Sequence, residues 1–311
     1  MGNQELLMDG EGKLIGSTTE KRSQNDFALW KASKPGEPTW ESPWSNGRPG
    51  WHIECSVMCC AILGGSFDIH TGGVDLKFPH HDNEIAQSEA CYGCDNWCNY
   101  FMHSGHLHIE GCKMSKSLKN FITIDEALQK HSARRLRLAF LMHTWHATLD
   151  YSERTMHEAE GYERTMQEFF LNLKDWQRKF KNDGGDKMMK PDEESEKLRK
   201  NFVAQKKAVY NALADNFDTP KALECLKKMV NFCNVYQSQA GSGKNLNIAL
   251  LETVGKYITW LFKVFGVIGD NEHVEMGFEA VNTNQKVDDN QAQPIEYRSG
   301  WCGAYTAPMV R

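Results

Sequence analysis

A chain of 311 residues and 35.5 kDa that is 40% hydrophobic has enough apolar material for one large domain or two ordinary ones. Its 36 Lys+Arg against 41 Asp+Glu, a formal charge of -5, exclude a protein that coats nucleic acid by charge alone. Ten cysteines scattered from Cys55 to Cys302 lack the even spacing of a secreted disulfide framework, and no secretory leader or membrane-length apolar run is visible, so the expected location is the cytoplasm.

From Asp26 to Thr123 the chain is rich in Gly, Pro and Trp and alternates short apolar runs with loops, the pattern of α/β structure. A helix is predicted from Trp51 to Leu63, stopped by Gly64-Gly65, and then a strand Phe67 to His70 running into Thr71-Gly72-Gly73. A second helix is predicted after Pro79, with Ile85, Ala86 and Ala90 on its apolar side. Tyr100 to Ile109 reads as strand and turn. Thr123-Ile124-Asp125-Glu126 is a capping-box start for the next helix. Apolar positions three and four apart then recur over Ser132 to Lys181 and Glu194 to Val267, with a polar stretch between them. Beyond Gly266 the sequence becomes polar and aperiodic, which predicts a mostly disordered tail. The expected division is 1–130 α/β, 131–267 helical and 268–311 tail.

Three sets of residues could carry chemistry. Lys113-Met114-Ser115-Lys116-Ser117 puts two lysines beside small hydroxyl residues, which suits a movable clamp on phosphates; such donors are worth about 2.7–4 kcal/mol each where charge develops. A solvated basic loop is the plain alternative. His80 and Glu84, four apart, share one helix face and with Cys55 make a thiolate, imidazole and carboxylate set suited to zinc with an open fourth position. A packed cysteine and a helix-start histidine are the plain alternative, with His81 and Asp82 as competing donors. Cys91, Cys94 and Cys98 have metal-like spacing but no evident fourth partner, and Cys59-Cys60 reads as helix packing. His103, His106 and His108 alternate along an expected strand, so they cannot all face one ion.

Taken in order, Asp26-Phe27-Ala28-Leu29-Trp30-Lys31, Pro43-Trp44, Gly47 to Ser56, Phe78-Pro79-His80-His81-Asp82-Asn83-Glu84 and Lys113 to Phe121 resemble the strings of the cysteinyl-tRNA synthetases. The resemblance runs from about Lys21 to Gly266, including Leu213-Ala214-Asp215-Asn216-Phe217-Asp218-Thr219-Pro220. It implies the C-terminal half of a class I synthetase nucleotide-binding, Rossmann-like domain, followed by an all-α tRNA-binding region. It also implies ATP- and Mg2+-dependent conversion of cysteine to cysteinyl-adenylate, then transfer to the cysteine tRNA. By the same resemblance, Cys55, His80 and Glu84 are zinc ligands, and Trp51 and His80 line the amino-acid pocket. Lys113 and Lys116 act on the phosphates with Ser115, while Gly72, Gly73 and Asp75 approach the adenosine.

Two of the family's features are absent from this sequence: a cysteine that supplies the fourth zinc ligand, and a His-Ile-Gly-His string. Met1 to Glu54 contains no cysteine, and His103-Ser104-Gly105-His106 stands in the wrong place, immediately before the lysine loop. The expectation is an incomplete chain with little cysteine-dependent ATP–pyrophosphate exchange of its own. The alternative is a truncated, non-catalytic product that binds tRNA or a partner. A ligase joining cysteine to an amino sugar is a third reading, disfavoured by the long helical region. Arg134, Arg135 and Arg137 are expected tRNA contacts, with a solvated helix face as the plain alternative.

Overall fold

The computed structural model describes residues 22–23, 26–113, 121–182, 192–240, 246–269 and 274–278. An antiparallel pair, β1 (Trp30–Ala32) and β2 (Gly47–Pro49), leads into helix α1 (Trp51–Leu63), which starts at Gly50 and stops at Gly64 with φ 87°. That positive φ suits a residue without a Cβ. The predicted helix and its glycine stop are therefore both present.

Strand β3 (Phe67–Gly73) follows, longer than the expected four residues because it continues through Thr71-Gly72-Gly73. It connects through a 3-10 turn (Val74–Leu76), a wide turn (Lys77–His81) and helix α2 (Asp82–Tyr92) to β4 (Cys98–Ser104), which lies parallel to it. Pro79 sits in the wide turn, and the regular helix starts at Asp82. The register pairs Phe67 with Cys98 and Gly73 with Ser104, so both strands end together. The carboxyl ends of parallel strands are where open α/β sheets bind ligands.

A third small sheet, of three strands, joins the halves. Strand β5 (Leu107–Ile109) turns back through Glu110 (φ 50°) and Gly111 (φ 75°) into β6 (Cys112–Lys113). Two successive positive φ angles are the geometry of a tight hairpin turn. The Gly111 N–H donates to Asp150 Oδ1 at 2.7 Å, and β7 (Leu149–Tyr151) runs parallel to β5. Sequence periodicity read 132–181 as helical throughout. Instead α4 (Ala133–Leu141), after the capping-box helix α3 (Ile124–Lys130), is separated by β7 from α5 (Glu153–Asn182). Three residues in a long-range pairing leave too little pattern to compete with helical spacing on either side.

The helical half is α4, α5, α6 (Glu193–Ala214), α7 (Thr219–Ala240) and α8 (Ile248–Val264). On α5, Met156, Ala159, Tyr162, Met166, Phe169, Leu173 and Trp176 fall three or four apart and are all buried, the stripe by which an amphipathic helix faces a core. Gly255 lets α8 approach α5: a Cβ there would lie 2.6 Å from Leu173 Cδ2.

Part of the stretch expected to be tail belongs to this core. Val267, Ile268, Met276 and Phe278 are buried, Gly277 N–H donates to Thr259 Oγ1 at 2.8 Å, and the Phe278 ring stacks on Phe262. Four apolar side chains spread through polar sequence have no period to reveal them, yet each fills space between helices. Residues 279–311 lie outside the described set.

Candidate active site

The candidate site is assembled by three neighbouring pieces. Helix α1 carries Trp51, His52 and Cys55 in its first turns; the turn before α2 carries His80 and His81; α2 carries Glu84. His80 and Glu84 are one turn apart, and the His80 Nε2 to Glu84 Oε1 separation is 2.7 Å. Strand β3 brings His70, whose Nε2 lies 2.6 Å from the other oxygen, Glu84 Oε2. Glu84 has no exposed surface, and His80 and His81 are each 3% exposed.

Among the described residues, two groups bring three ligand atoms within 4.8 Å of one another: Cys55, His80 and Glu84, and His70, His81 and Glu84. The first is the set read from the sequence. The second uses His81, the competing donor noted there, but not Asp82. Cys91, Cys94 and Cys98 do not form such a group. Cys91 is exposed near the end of α2, while Cys98 is on β4, where its thiol meets backbone oxygens of Asp68 and Tyr100.

Glu84 Oε1 is buried and makes no hydrogen bond, although His80 Nε2 is close by. The contact has ion-pair length without hydrogen-bond geometry. An orphaned buried carboxylate oxygen is costly unless something charged meets it. A thiolate, an imidazole and a carboxylate are a donor set that fits Zn2+.

Electrostatics agree. Burial, then the charges of Glu84 and Glu54, push the Cys55 thiol above its ordinary range, so without a cation it stays protonated. Burial lowers His80 and drives His81 down to about 4, against the opposing pull of Glu84. Both imidazoles are therefore neutral, the form in which histidine binds a metal. The His52 Nδ1 to His80 Nδ1 distance is 3.0 Å, and Trp51 stacks on His80 with centroids 4.7 Å apart at 19°. Trp51 is 47% exposed, so the face above the donors opens to solvent.

The residues expected to approach adenosine, Gly72, Gly73 and Asp75, lie at and just beyond the end of β3. Gly72 packs so close to His81 that a Cβ would lie 2.8 Å from its ring, and Gly73 lies beside Asp75 in the same way. Gly72 lines a cavity of about 540 Å³ between the ends of β3 and β4 and the helical half, with Ser104, Arg137, Phe140, Trp145 and Phe217 opposite or beside it. The hairpin β5–β6 ends at Lys113. Ser115 and Lys116 lie outside the described residues.

The arginines of α4 are engaged within the chain. Arg134 sits 4.3 Å over the Phe278 ring and donates to Val267 O; Arg135 pairs with Glu160 and Glu163; Arg137 Nε donates to Phe265 O at 2.6 Å. The expectation that these side chains serve tRNA thus meets a structural use for all three. His70 and His52 were not singled out from the sequence. The available signal was weak: a histidine within a strand, and one three residues before Cys55.

The chain matches the family described as tRNA synthetases class I (C) catalytic domain over residues 3–161. The fold agrees: it superimposes on LeuRS of Agrobacterium radiobacter K84 in a ternary complex with tRNA and LeuAMS, with a TM-score of 0.54, 14% identity, and coverage of 76% of this chain and 34% of that one. It also superimposes on methionyl-tRNA synthetase of Mycobacterium tuberculosis bound by methionyl-adenylate, with a TM-score of 0.51, 15% identity, and coverage of 64% and 41%. This is the fold of the class I aminoacyl-tRNA synthetases.

Among curated proteins, the chain is 53% identical over 291 residues to the cytoplasmic cysteine–tRNA ligase of Gallus gallus, covering 92% of this chain and 38% of that protein. It is 55% identical over 282 residues to the one of Homo sapiens, covering 89% and 37%, and 55% identical over 271 residues to the one of Drosophila melanogaster, covering 86% and 36%. The chain belongs to the cysteinyl-tRNA synthetase family. It spans 38% or less of the length of these relatives.

Proposed function

We propose that this chain carries the cysteine-recognising and phosphate-facing parts of a cytoplasmic cysteine–tRNA ligase, which activates cysteine with MgATP and passes the cysteinyl group to tRNA. The observation that carries the reading is the convergence of Cys55, His80 and the orphaned Glu84 Oε1 beneath the stacked, half-exposed Trp51. A zinc ion there would supply a Lewis-acidic, thiophilic fourth position, at which cysteine is preferred over serine because a hydroxyl is a poor soft ligand.

The protein's own groups do the rest. Were zinc held at Nε2, His80 would carry its proton on Nδ1, 3.0 Å from His52 Nδ1, and donating it there would fix the ring. Trp51 covers the imidazole and walls the amino-acid side of the site. Gly72 and Gly73 keep side chains away from the strand ends, giving room for adenosine near Asp75. Lys113, Ser115 and Lys116 are assigned to the ATP phosphates, with Lys113 delivered by the tight hairpin.

The test is metal and amino-acid binding by the purified chain. The expected result is one zinc per chain, and a Co2+-substituted form whose sulfur-to-metal absorption rises on adding cysteine but not serine. Loss of neither metal nor absorption in Cys55→Ser would overturn the assignment. Cysteine-dependent ATP–pyrophosphate exchange separates an adenylating chain from one that binds without catalysis.

A further inference from the structure

The two donor groups that share Glu84 are chemically unequal. Oε2 is hydrogen-bonded to His70 Nε2 at 2.6 Å, whereas Oε1 makes no hydrogen bond and faces His80. A carboxylate can only accept, so the proton of the first contact belongs to His70 Nε2. A ring nitrogen that has donated its hydrogen has no lone pair left for a cation. His81, the third member of the second group, directs Nδ1 at His103 Nε2, 2.9 Å away. That group is a hydrogen-bonded network, while the Cys55 group converges on space.

We propose that His70 is a positioning residue: it holds the Glu84 carboxylate by Oε2 so that Oε1 alone is turned toward Cys55 and His80. This rests on the reading of Cys55, His80 and Glu84 as metal ligands. The physical need is clear from burial. Glu84 is fully enclosed, so without His70 its second oxygen loses its partner and the carboxylate is free to rotate. Partners of this kind are typically worth about 10–100-fold in metal affinity.

His70 also packs edge-on against Phe67, Trp97 and Phe101, so removing the ring costs packing whatever replaces it. A pair of amide variants separates the two roles. In His70→Gln the terminal amide reaches the place of Nε2 and can donate to Oε2; in His70→Asn it falls short. The lost ring is common to both.

The experiment titrates the full chain and both variants with Zn2+ against a chromophoric chelator, and records the Co2+ d–d spectrum of each. Expected are one ion per chain throughout, affinity about 10–100-fold weaker in His70→Asn with a shifted Co2+ spectrum, and recovery of most of both in His70→Gln. Equal affinity and spectra for the wild type and His70→Asn would overturn the proposal, as would equal losses in the two variants. Two ions in the wild type and one in the variants would make His70 a ligand instead. If the wild type binds none, the ligand assignment itself falls, a different result from any of these.

Discussion

Among the described residues, 26–113 bury only two large apolar side chains, Trp97 and Ile109, beside His52, Ser56, His80, His81, Glu84 and Ser88, whereas 133–278 bury a continuous apolar cluster from Leu138 to Phe278. The α/β half meanwhile leaves Val57, Met58, Ile62 and Leu63 of α1 half-exposed or more. The helical half is thus held by burial of hydrocarbon, and the other by a polar interior whose groups must satisfy one another. Burying imidazole and carboxylate is unfavourable unless every lone pair and proton is met. Such an interior gains little from burial itself, while a core like that of α5 and α8 is stabilised by it.

The comparison can be broken most directly in the core. Phe262 is fully buried and stacked on Phe278, so Phe262→Ala should cost about 3–5 kcal/mol in urea unfolding while the folded fraction keeps its zinc affinity. If zinc affinity fell in parallel, the halves would be one cooperative unit and not two interiors of different kind.

Acid should act the opposite way. His81 has its pKa lowered from 6.5 to about 4 by burial, and His80 and His103 are lowered by the same cause. A depressed histidine contributes stability above its unfolded value, and that contribution is lost as pH falls from 6.5 through about 4. In chelator-treated protein, near-ultraviolet signal from the tryptophans of the α/β half should decay over that window. The helical far-ultraviolet signal should persist, since among the described residues of 133–278 no imidazole or carboxylate is buried. Simultaneous loss of both signals would erase the distinction.

The smallest effect sharpens the boundary. Arg135 bridges α4 to α5 through Glu160 and Glu163, so Arg135→Ala should cost about 1 kcal/mol of stability and leave the salt dependence of tRNA binding unchanged. A reduced salt slope at unchanged stability would return this residue to the RNA surface.

How legible the protein was from its sequence differed by level. The α1 helix with its glycine stop, the start of β3 and the Thr123–Glu126 capping box were readable because each depends on contacts within a few residues. The pairing of β7 with β5 and the return of Met276 and Phe278 to the core were not, because short segments joined across long loops carry no period. The candidate metal donors were named by residue type, by the four-residue step from His80 to Glu84, and by likeness to family strings; the convergence of His80 and Glu84 with Cys55 is a tertiary fact.

The sequence by itself determined family, donor chemistry and helical amphipathicity, since these reside in residue identity and local spacing. Only the tertiary structure decided that Glu84 turns one oxygen to His70 and leaves the other facing His80 without a hydrogen bond, and that the α4 arginines bind their own chain. Hydrogen-bond direction and burial are set by which elements pack together, and that information is spread over the whole chain rather than written at any one position.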